Sequence, residues 1–127
     1  MTIDADGHYE IRADEATNRL YITLNGRLDA EQIELAADMA VETARSLDEG
    51  FDIVNDISGF RPPGPEAAAP IEAAQQSLSE IGIDRVVRIA DDETSTVVVN
   101  AFDRRSKTVG YEGLTADSIA EAERLLD

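Results

Sequence analysis

The sequence predicts an α/β domain with a mixed, mostly parallel β-sheet and elements in the order β-β-α-β-α-β-α-β-α. Short apolar runs of strand type alternate with longer segments in which apolar residues recur at helical spacing, which is typical of βαβ crossover units. The first two strands are close enough in sequence to form an antiparallel hairpin at one edge of the sheet. A chain of 127 residues buries a sufficient core without disulfides, so we expect a single domain over residues 1–127.

A hairpin and a capped helix are predicted first. Residues 9–13 and 19–24 have strand patterns, and a short polar turn separates them. Asp29, with Gln32 three residues later, forms a capping-box variant at the start of a helix, and Gly50 is its predicted C-terminal stop. The apolar residues of this helix are Ile33, Ala36, Ala37, Ala40, Ala44 and Leu47.

The middle of the chain predicts a strand, a helix and another strand. Residues 51–57 are mostly apolar, as expected for a strand that is buried on both faces. A proline-rich loop follows, and the next helix has Pro70 in its first turn and ends at Gly82. Residues 85–90 predict the next strand. The apolar positions of the helix are Ile71, Ala74, Leu78 and Ile81.

The last elements are a helix, a short strand and a terminal helix. Residues 96–109 contain three consecutive valines that favour a strand, but the wider apolar spacing and the length favour a helix, which is our prediction. Residues 111–116 hold one short strand. Asp117 or Ser118 caps the last helix, and Ser118 with Glu121 forms a capping box. The residues expected to face inward are Ile119, Ala122, Leu125 and Leu126.

The charge is strongly acidic, with 27 acidic and 11 basic residues and a formal net charge of −16. A field of this sign repels phosphates, so we expect no nucleic-acid partner. A disordered acidic chain is also disfavoured, because 43% of the residues are hydrophobic and fall in periodic runs. Lys107 is the only lysine beside ten arginines, and this composition resembles that of proteins from extreme halophiles, in which salt screens the repulsion.

Several kinds of site are excluded by residue type. The absence of cysteine removes thiol nucleophiles, thiolate metal sites and disulfides, and His8 is the only histidine. We find no Gly-rich phosphate loop and no nucleophile–base pair, so we expect no catalytic residues, no metal and no cofactor. No segment has the apolar length of a membrane span, and the acidic N-terminus is unlike a secretory signal, so we expect a cytoplasmic protein.

Two short motifs point to a family. The first helix is entered through Gly26-Arg27-Leu28-Asp29, and the third strand is left through Asp56-Ile57-Ser58-Gly59-Phe60. Together with the element order over residues 9–126, they resemble the STAS fold of the anti-sigma-factor antagonists, and more closely its SpoIIAA-like branch. The resemblance implies a non-enzymatic regulatory module that binds a protein partner or forms a homodimer.

The phosphorylation switch of the antagonists is missing from its usual place. In that family a serine or threonine in the loop after the third strand is phosphorylated by the partner kinase. Residues 61–76 contain neither, and the acceptor position falls near Pro65 or Glu66. We therefore expect the switch to be absent or moved to Ser58, and we interpret Glu66 as ordinary helix-dipole complementarity rather than a phosphate mimic.

The predicted contact surface covers residues 58–66 and consists of Ser58, Gly59, Phe60, Arg61 and Glu66. Two alternatives stay open for Phe60, which is an anchor for a partner if exposed and packing if buried. Arg61 either holds an anionic group or pairs with Glu66 in a solvated ion pair.

A second function also stays open. SpoIIAA-like domains resemble the lipid-carrying CRAL-TRIO folds, which would imply a small apolar or lipid-like ligand between the sheet and a helix. Its predicted lining is Ile71, Val98 and Phe102. An enclosed cavity of roughly 300 Å³ or more would favour this alternative.

Overall fold

The computed structural model describes residues 7–61, 68–90 and 112–126. These residues form five strands and three helices in the predicted order. The strands are β1 (His8–Asp14), β2 (Arg19–Asn25), β3 (Phe51–Asp56), β4 (Ile83–Ile89) and β5 (Glu112–Ala116). The helices are α1 (Ala30–Ala44), α2 (Ala68–Ile81) and α3 (Ile119–Leu126). The helix predicted over residues 96–109 lies outside the described residues.

The five strands form one sheet in the order β1-β2-β3-β4-β5. β1 pairs antiparallel with β2, and the other three pairs are parallel. The predicted mixed, mostly parallel α/β sheet with a hairpin at one edge is therefore confirmed. The register places Asn55 of β3 directly between Ile22 of β2 and Arg88 of β4, so these three side chains share one face of the sheet.

Helices lie on both faces of this sheet. On one face, α1 and α2 pack on inward residues of β2, β3 and β4; on the other, α3 packs on the intervening residues. The residues facing α1 and α2 include Leu20, Leu24, Phe51, Ile53 and Val86. Those facing α3 include Tyr21, Val54, Val87, Ile89 and Ala116. Five of the six residues of β3 are buried, because both of its faces are covered, as its apolar sequence predicts.

The start of α1 is the predicted capping box. The Gln32 backbone N–H donates to the Asp29 carboxylate (2.8 Å), and the Asp29 N–H donates to the Gln32 side-chain oxygen (3.0 Å). The helix ends at Ala44, three residues before the last apolar position, because the chain tightens into turns there. Leu47 donates its N–H to the Ala44 carbonyl (3.0 Å) and is still buried. The apolar periodicity thus continues past the helix that it predicted.

The terminal helix α3 is capped as predicted but buries less. Glu121 donates its N–H to the Ser118 hydroxyl (3.1 Å), while its carboxylate accepts from the N–H of Asp117 (2.8 Å) rather than from that of Ser118. Ala122 and Leu126 are buried, but Ile119 and Leu125 are each 43% exposed, so the prediction that they face inward was wrong. A helix of eight residues presents one narrow face to the sheet, and these two side chains lie beside it.

Among the helices described, none combines the length and apolar character that crossing a bilayer requires.

Candidate functional site

The loop after β3 begins with a tight, locally bonded turn. The Asp56 carboxylate accepts the N–H of Ser58 (3.0 Å), and Phe60 donates its N–H to the Ile57 carbonyl (3.0 Å). Gly59 has a φ of +67°, a left-handed conformation that side chains rarely adopt, so glycine suits the position. Asp56 thus serves the turn itself, as short polar side chains commonly do at strand ends.

This turn is also tied to the segment that follows β2. The Asn25 side-chain amide donates to the Ser58 carbonyl (2.9 Å) and to the Asp56 carboxylate (3.4 Å). Arg61 donates its N–H to the Gly26 carbonyl (2.8 Å), which forms a short parallel bridge between the two segments. The two motifs that carry the family resemblance therefore lie side by side, because β2 and β3 are parallel neighbours.

The predicted contact residues differ in exposure. Ser58 and Gly59 are half-buried and Arg61 is exposed, so all three reach the surface. Phe60 is only 1% exposed and packs among Leu28, Ile57 and other core residues, so of the two alternatives left open by the sequence, the structure shows packing. Glu66 lies outside the described residues, as does any pairing of Arg61 with it.

A cavity of about 60 Å³ lies between the sheet and the helices α1 and α2. Ile71, one of the three predicted ligand-binding residues, lines it; the other two, Val98 and Phe102, lie outside the described residues. The remaining apolar wall includes Ile22 and Ile33. The volume is well below the roughly 300 Å³ of a typical small-molecule pocket.

Among the described residues, three polar side chains line this cavity, and the rest of the described wall is mostly apolar. Asn55 and Gln75 are each 7% exposed, and Arg88 is 1% exposed. Asn55 and Arg88 are register partners on β3 and β4, and Gln75 of α2 lines the same cavity. These residues belong to no motif of the sequence, although a charged residue within the apolar run 86–89 of a strand covered on both faces was an available signal.

An ion pair anchors the last turn of α3 to the opposite face of the sheet. Arg85 of β4 donates to both carboxylate oxygens of Asp52 on β3 (3.3 and 3.2 Å). The same guanidinium donates to the carbonyls of Leu125 and Leu126 (3.5 and 3.1 Å). A cation at a helix C-terminus is favourable, because the free carbonyls there carry partial negative charge.

Tyr21 lies in a polar cluster on this same face. Its hydroxyl donates to the Glu123 carboxylate of α3 (2.7 Å), and the Arg12 guanidinium lies 3.9 Å from the centre of its ring. Burial, and next the hydrogen bond to Glu123, raise the pKa of Tyr21, because both disfavour the phenolate. The hydroxyl is therefore held protonated, as a donor that ties α3 to β2.

Metal-ligating side chains do not cluster in the described residues, where no three histidine, aspartate or glutamate groups are placed to hold an ion.

Comparison with known proteins gives the fold. The sequence matches no protein-family model and no curated protein. Among solved structures, the chain is similar to an uncharacterized protein of the DUF3478 family from Shewanella loihica PV-4, described as having a SpoIIAA-like fold. The TM-score is 0.71 at 13% sequence identity, covering 100% of this chain and 98% of that chain. The fold is SpoIIAA-like.

The SpoIIAA-like fold that the two motifs implied is thus confirmed. At 13% identity the likeness concerns the path of the chain and carries no residue role from one protein to the other. The function of this SpoIIAA-like domain has to be inferred from its own residues.

Proposed function

We propose that this chain is a non-enzymatic regulatory module that binds a protein partner or a second copy of itself through residues 58–66. The observation that supports the proposal best is the tethering of the β3 loop to the segment after β2. Asn25 and Gly26 hold the loop at Ser58 and Arg61, and Gly59 provides the sharp turn. A surface held in place before binding loses less conformational entropy when a partner binds.

The contact residues would be Ser58, Gly59, Arg61 and Glu66. Arg61 is exposed on a chain with a net charge of −16, so it offers a local cation to an acidic group of the partner. Phe60 would not contact the partner, because its ring is buried. It would instead hold the loop backbone against the core.

The module would bind without the phosphorylation switch of the antagonists. No hydroxyl side chain is present in residues 61–76, where the antagonist family has its acceptor. Ser58 is the one hydroxyl of the contact surface, and its backbone is fixed on both sides by Asn25 and Asp56. We therefore propose binding that is not regulated at the family's acceptor position.

The alternative function, transport or binding of a lipid-like ligand, has one observation for it and one against it. Ile71 lines a cavity between the sheet and α2, as that function requires. The cavity measures only about 60 Å³, which is far too small for an acyl chain. We therefore favour the protein-binding module.

The test compares two double variants of equal chemistry. Ser58→Ala with Arg61→Ala removes the contact groups, while Ser118→Ala with Arg124→Ala removes a serine and an exposed arginine around α3, on the opposite face of the sheet. Self-association is measured by sedimentation velocity, and partners are enriched from a high-salt lysate, identified by mass spectrometry, and purified for binding measurements.

We expect the loop variant to weaken self-association or the purified complex at least tenfold and the α3 variant to leave both unchanged. Equal binding by the wild type and the loop variant would remove residues 58–61 from the interface. Thermal melts of both variants check that any loss does not come from unfolding.

A further inference from the structure

Asn55, Gln75 and Arg88 are buried polar residues that line the same cavity. Arginine is rarely buried to 1% exposure, because removing a guanidinium from water is costly unless acceptors replace the water. Here Arg88 lines a cavity, which offers space for a group that is not part of the chain.

Asn55 supplies a second and independent observation. Its side-chain oxygen Oδ1 is buried and has no hydrogen-bond partner among the described residues. Buried polar atoms in proteins are nearly always paired, so an unpaired amide oxygen on a residue that lines a cavity indicates a missing partner. Because an amide can turn over, it can offer either its oxygen or its NH₂ group to that partner.

Arg88 and Gln75 each take part in at least one further interaction. A guanidinium has five N–H donors arranged in a planar fork, so it can bind a ligand in addition to a partner within the chain. The fork matches the two oxygens of a carboxylate, which is why arginine is the usual partner of that group.

We propose that this cavity is a binding site for a small carboxylate, whose charged group lies against Arg88 and whose neighbouring polar group reaches Asn55 and Gln75. A hydroxyl next to the carboxylate would donate to the free oxygen of Asn55, so a 2-hydroxy acid fits better than a plain acid. The short carbon part of the ligand would lie against the apolar wall formed by Ile33 and Ile71.

The cavity volume sets the size of the ligand. A volume of about 60 Å³ is about four to six times the roughly 10–15 Å³ of cavity that one water molecule needs. This space suits an acid with two or three carbon atoms. Longer acids would have to separate α1 from α2, whose facing walls contain closely packed small residues such as Ala36, Ala40 and Ala74.

The experiment uses glycolate, acetate, hexanoate and the neutral glycolamide as probes, at constant potassium concentration. Two-dimensional ¹⁵N NMR follows the side-chain amides of Asn55 and Gln75 and the Nε–H of Arg88 during each titration. We expect saturable shifts at these three groups with glycolate, at least tenfold weaker binding of glycolamide, and weaker binding of hexanoate than of acetate.

Matched variants locate the site. Arg88→Met should weaken glycolate binding at least tenfold, whereas Arg124→Met, which removes the same charge from the exposed face of α3, should leave it unchanged. In case Arg88→Met does not fold, Ala74→Leu fills the cavity from its half-buried edge and keeps all three polar residues, and it should abolish the shifts.

Three results would overturn the proposal: equal binding of glycolate and glycolamide, tighter binding of hexanoate than of acetate, or wild-type affinity in Ala74→Leu. None of these measurements involves residues 58–66, so the proposed protein contact and this ligand site stand or fall separately.

Discussion

Replacement of Phe60 by alanine tests whether the β3 loop is supported from the core. The ring is 1% exposed and packs in a cluster with Leu24, Leu28, Ile57 and Ile71. If the ring is buried in the core, Phe60→Ala lowers the free energy of unfolding strongly. If Phe60 were instead a surface anchor for a partner, the variant would fold almost as stably as the wild type and lose only binding.

The magnitude follows from the area that the ring removes from water. A buried aromatic side chain covers about 150–250 Å², and alanine retains roughly a third of that. The loss of roughly 100–150 Å² of apolar burial corresponds to about 3 kcal/mol at about 25 cal/mol per Å². The cavity left behind adds to this, so a total of about 3–5 kcal/mol is expected.

The assay is urea unfolding followed by circular dichroism in a fixed concentration of KCl. Urea is preferable to guanidinium chloride because the chain carries a net charge of −16 and a salt denaturant would change its screening. Met39→Ala is the matched control, since Met39 lies on the outer side of α1 with 44% exposure. We expect about 1 kcal/mol or less for this control. A loss below about 1 kcal/mol for Phe60→Ala, similar to the control, would refute the buried position.

Three further outcomes are expected. Asp52→Asn removes the carboxylate that Arg85 contacts at 3.2 Å and should cost about 1–3 kcal/mol, measured by urea unfolding, whereas wild-type stability would show that the pair contributes nothing. The folded state raises the pKa of Tyr21, mainly by burial and then through Glu123. The contribution of Tyr21 to the free energy of unfolding is therefore complete below the pKa of the unfolded chain, about 10. It falls as the pH rises through the higher folded pKa. As the pH rises through this range, Tyr21→Phe should therefore lose less stability than the wild type. Parallel curves of unfolding free energy against pH for the two proteins would contradict this. With a net charge of −16, the melting temperature should rise between about 0.1 and 1 M KCl, as the Debye length shortens from about 10 to 3 Å; an unchanged midpoint would disprove salt adaptation.

Local sequence signals predicted the elements of the fold well. The capping box of Asp29 and Gln32 depends on residues three positions apart, so the sequence alone was enough to place the start of α1. The turn at Asp56 and Gly59 is likewise local, because the Asp56 carboxylate bonds the N–H two residues later and Gly59 has the positive φ. The end of α1 was less well predicted, because Leu47 is buried by the tertiary fold after the helix has ended.

The candidate sites depend on contacts between distant residues, and there the sequence was less informative. Phe60 had two equal interpretations until the packing of the core placed its ring inside. Ile119 and Leu125 matched an apolar pattern, but only the position of α3 on the sheet shows that they stay largely exposed.

The sequence by itself determined the α/β class, the order of the described elements and the absence of a hydroxyl at the antagonists' acceptor position, because these depend on residue type and local spacing. Only the tertiary structure placed Asn55, Gln75 and Arg88 around one cavity. They come from two strands and a helix, and their meeting depends on the β3–β4 register and on the packing of α2 across it. Register and helix packing are set by the whole core, which no local segment of the chain encodes.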